Sequence, residues 1–415
     1  DRPSAHTPRW AMLMARVVAS LFLVVLLMPF VAGQTASKVK VLYTGDPFPG
    51  QTPYIHMKAE PFLEVTPVQA SRAHYAGISA QDIMRAIRVY MPRTYESLVR
   101  NYDVVIISDS NVDSFTATHR TWFRNAVADD GAGLVMIGGY ETFGGVAGNM
   151  DWGVTPVGEV LPVDTVGGVY EGGKVTLLDL NHAFMRSLPW RADLPFLIRY
   201  DCNVVDAREG ANVLAVVTLD GGFNKGYKNP FFSTWEYRNG TVFAMTGDWT
   251  PGGGAVFLTW EYLPDFATNL MLYCAKRPIP ENLDLVHTVR TRMATLAYRR
   301  IIITSLIDFV DKFGANPKRI FLALQEADAA GTEAADLYLM QEFDAAKEGA
   351  ERALQLMDEA EAVADKVKNE ALLWVYVSEW LSVTGTSLVC GFLLWTLMIR
   401  RRMYKEVAYT QFRGR

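Results

Sequence analysis

The segment Trp380–Ile399 holds twenty consecutive residues without a charged side chain, and Arg400, Arg401, Arg402 and Lys405 follow it. Twenty apolar residues rising about 1.5 Å each match the roughly 30 Å hydrocarbon core of a bilayer, so this stretch is expected to be a transmembrane helix. A helix buried in a protein core would not need the abrupt basic stop. The stop instead holds residues 400–415 on the cytoplasmic side as a basic tail and sets Trp380 at the opposite interface. The body of the chain, N-terminal to this single span, is thereby expected outside the cytoplasm, at the cell membrane.

The start of the chain agrees with an exported body. Arg9 and Arg16 precede the apolar run Val17–Phe30, and Val31, Ala32 and Gly33 supply the small residues a signal peptidase reads. Residues 1–33 therefore read as a signal peptide, although the stretch from Ala11 to Ala32 also suffices for an uncleaved N-terminal anchor. With 40 Lys and Arg against 45 Asp and Glu, the net charge of −5 offers no basic face for a nucleic acid. Three cysteines make no disulfide framework. Cys390 falls inside the apolar span, while Cys202 and Cys274 either pair in an oxidising compartment or stay as buried thiols.

Between these ends, short apolar runs alternate with amphipathic ones. The first strand is expected at 38–43, ending at Gly45-Asp46 before a Pro- and aromatic-rich loop through Pro67. Ser79 caps a helix with Ile83, Ile87 and Tyr90 on one stripe, and Tyr102–Ser108 is a second, fully buried strand ending at Asp109. A crossover helix over Thr118–Asp129 leads to a strand at Leu134–Ile137. Further strands are expected at Val213–Leu219, Phe231–Tyr237 and Thr241–Thr246, and a closing helix at Val256–Ala275. This order predicts an α/β domain over residues 38–277 with a doubly wound, mostly parallel, flavodoxin-like sheet.

From Asn282 the composition turns to Ala, Glu, Leu, Lys and Arg, which predicts a helical stalk over 282–370. Breaks are expected at Gly314–Pro317 and at Gly331-Thr332, with Thr332 capping a helix that runs to about Glu370. Met340, Phe343, Ala350, Leu354, Met357 and Ala364 recur at three- and four-residue spacing, which suits an antiparallel hairpin packed within the chain. The other use of such a stripe is an oligomeric coiled coil, for which these heptads are imperfect.

Four stretches carry a family resemblance: GGYETFGG (Gly138–Gly145), TPVGEVLPV (Thr155–Val163), NHAFMRSLPW (Asn181–Trp190) and GTVFAMTGDW (Gly240–Trp249). They resemble the class I glutamine amidotransferase-like domain, in the branch called the putative glutamine amidotransferase family of prokaryotic membrane proteins. The resemblance implies a cysteine nucleophile on the turn after the Leu134–Ile137 strand. Here that turn offers Tyr140 or a glycine, and a phenol titrating near 10 is a poor substitute for an activated thiol. His182, with Asp179 three residues before it, is either a base or the opening of a short helix.

Asp46, Asp109, Glu141 and Asp248 each follow the carboxyl end of an expected strand, where open α/β sheets gather their ligands. Carboxylates placed there can bind a hard cation or polarise a hydroxyl, and they can equally serve as turn and cap residues. Whether a metal binds is left open, and no cofactor is expected. The candidate ligand-binding set is Asp46, Asp109, Gly139, Tyr140, Glu141, Phe143 and Trp249, with Trp152 nearby, and the candidate catalytic residues are Tyr140, Glu141, Asp248 and His182. The expected function is a membrane-anchored, extracytoplasmic, non-catalytic module for ligand binding or assembly with a protein partner at the cell surface. The alternative is an extracellular hydrolase of glycans or amides that works through the strand-end carboxylates.

Overall fold

Runs that are apolar without alternation fold as strands covered on both faces, and amphipathic runs with a capping residue fold as helices against them. The computed structural model describes residues 38–47, 53–72, 78–146, 151–313 and 316–412, so the expected signal segment lies outside the described residues. In chain order the elements are β1 (Val39–Gly45), α1 (Tyr54–Ala59), β2 (Leu63–Gln69), α2 (Ala80–Tyr90), α3 (Tyr95–Asn101), β3 (Val104–Ser108), α4 (Ala117–Ala128) and β4 (Gly133–Ile137). Next come β5 (Val163–Leu177), α5 (Ala183–Arg186), α6 (Pro195–Ile198), β6 (Tyr200–Ala207), β7 (Asn212–Leu219), β8 (Lys228–Tyr237) and β9 (Gly240–Met245). The chain closes with α7 (Ala255–Leu258), α8 (Leu263–Cys274), α9 (Leu283–Lys312), α10 (Lys318–Leu339) and α11 (Phe343–Phe412).

The nine strands form one mixed sheet in the order β2-β1-β3-β4-β9-β8-β7-β5-β6. The first five are mutually parallel and the last four are joined by antiparallel pairings, which corrects the expectation of a mostly parallel sheet. The parallel half keeps the 2-1-3-4 order of a flavodoxin-like core, and its topological switch falls between β1 and β3. Every residue of β3 and β4 is buried, as their unbroken Val, Ile and Leu runs require. The Ser79 hydroxyl accepts the Asp82 N–H and starts α2 as expected.

Several elements lie where the sequence reading had none. The expected loop through Pro67 contains α1 and the edge strand β2. Strand β5 was missed because Gly167, Gly168, Gly172 and Gly173 interrupt its pattern, and β6 because Asp201 and Asn203 do so. The expected closing helix is two helices, α7 and α8.

Helix α10 runs straight through Gly331 and Thr332, so no break occurs there, and Thr332 Oγ1 donates to Asp328 O one turn back instead of capping. The chain turns at Met340–Glu342, and α9, α10 and α11 form a three-helix bundle where a two-helix hairpin had been expected. On α11 the buried positions are Ala346, Ala350, Ala353, Met357, Ala360, Ala364, Val367 and Ala371, a strict alternation of four and three. The seam packs against α9 and α10 within the chain, its alanines allowing close approach. Beyond Ala371 the same helix continues into the apolar segment, which has no buried residue and is a candidate membrane span by length and composition.

The bundle is joined to the sheet domain by a buried ionic cluster. Arg290 on α9 donates from Nη1 to Asp265 Oδ1 (2.8 Å) and Asn269 Oδ1 (3.0 Å) of α8, and from Nε to Tyr338 Oη of α10 (2.7 Å). Its Nε also lies 3.1 Å from Glu60 Oε2, and His287 Nδ1 lies 2.6 Å from Asp265 Oδ2. Burial opposes the Arg290 charge, but Tyr338, Glu60 and Asp265 outweigh it and hold the guanidinium more firmly protonated than usual. The hydrogen bond that His287 donates to Asp265 likewise raises the His287 pKa.

Candidate functional site

In-register pairing brings four strand ends into line: Gly45 of β1 faces Ser108 of β3, Ser108 faces Ile137 of β4, and Ile137 faces Met245 of β9. The residues that follow, Asp46, Asp109, Gly138-Gly139 and Asp248, therefore meet at one edge of the sheet. The turn after β4 is held by close backbone approach. A side chain at Gly138 would reach within 2.0 Å of Thr246 O, and one at Gly139, with φ of +148°, within 2.4 Å of Asp109 Oδ1. Asn203 of β6 clamps the same turn, accepting the Gly139 N–H and donating to Gly139 O, both at 3.0 Å.

All four strand-end carboxylates are buried. Glu141 accepts from Ser71 Oγ (2.9 Å), the Arg72 N–H and Asn111 Nδ2 (2.8 Å), so one side chain ties together the loops after β2, β3 and β4. Asp109, at φ of +40°, accepts the Glu141 N–H at 2.8 Å. Asp248 accepts the Thr250 N–H (2.7 Å), Thr250 Oγ1 (2.6 Å) and the Gly253 N–H (3.0 Å), which shapes the loop leading into α7. Burial pushes the Asp248 carboxyl up against those hydrogen bonds.

Asp46 differs from the other three. Its Oδ1 accepts from Ser108 Oγ (3.3 Å), while its buried Oδ2 has no hydrogen-bond partner. Burial, and then the nearby Asp109 and Asp248 charges, hold its carboxyl well above the ordinary value.

The aromatic residues fill the space between these groups. Trp249 is fully buried, donates from Nε1 to Ser108 Oγ (2.7 Å) and stacks on Tyr43 at 6.3 Å. Trp152 and Phe143 are also fully buried, with Trp152 Nε1 donating to Ser110 O at 2.8 Å. Tyr140 is the exposed member of the turn, at 48% of its surface, and stacks on Tyr170 at 5.8 Å.

His182 lies away from this edge. Its backbone N–H bonds Asp179 Oδ1 (3.1 Å), its Nε2 is 3.4 Å from Tyr273 Oη, and burial lowers its pKa. Tyr273 belongs to the carboxyl end of α8, which packs on Gly133 at the amino end of β4, the opposite end of the sheet from Asp109 and Asp248. A groove of about 750 Å³ opens near the α8 end, lined by Arg186, Glu236, Thr241, Tyr273, Lys276 and Glu281.

Both sheet-domain thiols are free, so the possible Cys202–Cys274 pairing is not made. Cys202 is buried in β6 and pushed up to about 12 by burial, and Cys274 is buried on α8 and raised for the same reason. Neither lies on the turn after β4. Among the described residues, no group of three or more His, Cys, Asp or Glu side chains is placed to hold a metal ion.

Asp46, Asp109, Glu141 and Asp248, all named in the sequence reading, follow neighbouring strand ends, whereas Asn203, Ser71 and Asn111, which satisfy the turn and Glu141, were not named there. Asn203 sits on a strand whose pattern polar residues broke, and Ser71 and Asn111 are loop residues with no spacing signal.

The sequence profile of the putative glutamine amidotransferase family matches residues 51–275. No curated protein matches the chain. Among solved structures, it is similar to the cytoplasmic protein STM1381 from Salmonella typhimurium LT2, at 22% identity over 57% of this chain and 99% of that one, with a TM-score of 0.44. The cytoplasmic protein STM3548 from Salmonella typhimurium is 19% identical over 57% of this chain and 99% of that one, with a TM-score of 0.43. A beta-galactosidase from Bacillus circulans sp. alkalophilus is 15% identical over 56% of this chain and 31% of its own, with a TM-score of 0.28. With the profile covering more than half of its length, the chain belongs to the putative glutamine amidotransferase family.

Proposed function

We propose that this protein is a membrane-anchored scaffold whose glutamine amidotransferase-like domain does no catalysis and assembles with a protein partner at the outer face of the cell membrane. The observation that carries this reading is the commitment of the strand-end groups to the fold. Glu141 and Asp248 each accept three hydrogen bonds, Asp109 anchors the turn, and the nucleophile's place is a glycine turn clamped by Asn203. A glutaminase needs an accessible thiolate beside a base, and here both thiols of the domain are buried and raised. The hydrolase alternative asks Glu141 and Asp248 to leave these bonds, and so is the weaker reading.

The outward orientation rests on Arg400, Arg401, Arg402 and Lys405 immediately after the apolar segment. The test is ammonia release from glutamine by the full chain in detergent. No release above buffer is expected, and hydrolysis that disappears on Tyr140→Phe would overturn the reading.

A further inference from the structure

We propose that the tip of the three-helix bundle, where α9 ends and α10 begins, is a second membrane contact that sets aromatic side chains into the headgroup interface beside the span. The proposal rests on the reading of α11 as membrane-spanning, and its evidence is the level at which this tip sits on α11. Arg292 of α9 faces Glu351 of α11 and Arg299 faces Asp358, so the two helices run parallel with a constant offset of 59 residues. Phe313, just past α9, therefore lies level with Leu372. That is where burial on α11 stops: Ala371 is the last buried position of the seam, and Leu373, Trp374 and Tyr376 are exposed at 61%, 72% and 60%.

The tip presents the same kind of surface. Phe309, Phe313, Phe321 and Leu322 are exposed at 37%, 43%, 60% and 50%, with the Phe309 and Phe313 rings 4.7 Å apart. The apolar surface of the tip and that of α11 thus begin at one height. From Ala371 to Ile399 the chain has a single side chain that is charged at neutral pH, Glu379.

Length decides what covers this surface. Residues 371–399 span about 43 Å as a helix, longer than a hydrocarbon core of about 30 Å and equal to a bilayer of about 40–45 Å with its headgroups. The first turns, through Trp374 and Tyr376, then ride among the headgroups, where amphipathic rings accumulate. The rigid bundle brings Phe313, level with Leu372, to the outer edge of that layer, with Phe309 one turn farther out. Lys312, Lys318 and Arg319 flank them and outnumber Asp308 and Asp311, a balance suited to anionic headgroups. The occupant is the lipid interface itself, continuous with the lipid around the span.

The experiment uses the full chain in vesicles of phosphatidylcholine and phosphatidylglycerol, with an environment-sensitive dye on one cysteine at a time and brominated lipids as shallow or deep quenchers. Native Cys390, exposed on the span, reports the span alone, while Cys202 and Cys274 are buried and stay unlabelled. In a Cys390→Ser background, dye on the Phe313→Cys variant is expected to shift its emission to shorter wavelength and to lose intensity to shallow quenchers. Dye on the Ile302→Cys variant, about 16 Å higher on α9, is expected to behave as in water. A Phe313→Cys signal that matches water while Cys390 is quenched deeply would overturn the proposal and leave the span intact. A blue shift without lipid quenching would assign the tip to another protein surface and also overturn it. An unquenched Cys390 would fail the span reading on which the tip depends.

Discussion

Asp46 keeps its buried Oδ2 without a hydrogen-bond partner, while Ser108 Oγ, which itself accepts from Trp249 Nε1, reaches Oδ1. Burial and the neighbouring Asp109 and Asp248 raise its carboxyl well above the ordinary 3.8. The folded chain therefore keeps a proton that the unfolded chain releases. Stability from this group is full below the ordinary carboxyl range and is lost as pH rises through the raised value. Asp46→Asn removes the charge that would otherwise form in the core. Its thermal midpoint is expected above wild type at pH 8, with the difference closing by pH 4, and scanning calorimetry at both values checks it.

At the scale of elements, the sequence made the centre of the parallel half legible because β3 and β4 are apolar runs buried at every position, while its edge strand β2, partly exposed and carrying a proline, was read as loop. The antiparallel half was harder. The pattern of β5 is diluted by glycines, and β6 carries Asp201 and Asn203, whose side chains are explained by contacts across the sheet that no local window contains. The same holds for Gly331 and Thr332, which look like a helix boundary but lie within α10, where packing against α9 and α11 outweighs propensity. On α11 the reading found Ala350, Met357 and Ala364 but mixed them with Leu354, which is only partly buried, and so took a strict heptad for an imperfect one. Because that seam is built on alanine, Ala360→Leu is expected to destabilise the bundle by about 1–3 kcal/mol through overpacking. Urea titration followed by circular dichroism would show the earlier transition.

The whole molecule is a family domain with an added support. The family profile ends at Ala275, just beyond α8, and the bundle and apolar helix follow. The Arg290 cluster ties them together, taking Glu60 and Asp265 from the sheet domain and Tyr338 from α10. None of these residues stood out in the sequence, since their meaning comes from contacts far apart along the chain. Arg290→Ala leaves the buried Glu60 carboxylate without its cation and Asp265 with His287 alone, and is expected to cost about 3–5 kcal/mol. Limited proteolysis between α8 and α9 should then accelerate, whereas an unchanged cleavage rate would show that the cluster does not hold the two parts together.

The account as a whole turns on whether the strand-end acids build the fold or perform chemistry, and the thermal midpoint of Asp248→Asn tests this most directly. The substitution keeps the side chain's shape but removes a carboxylate that accepts from Thr250 Oγ1 and the Gly253 N–H. A structural role predicts a loss of about 1–3 kcal/mol, seen as a clear drop in the midpoint. An unchanged midpoint, accompanied by loss of a hydrolytic activity present in the wild type, would contradict it.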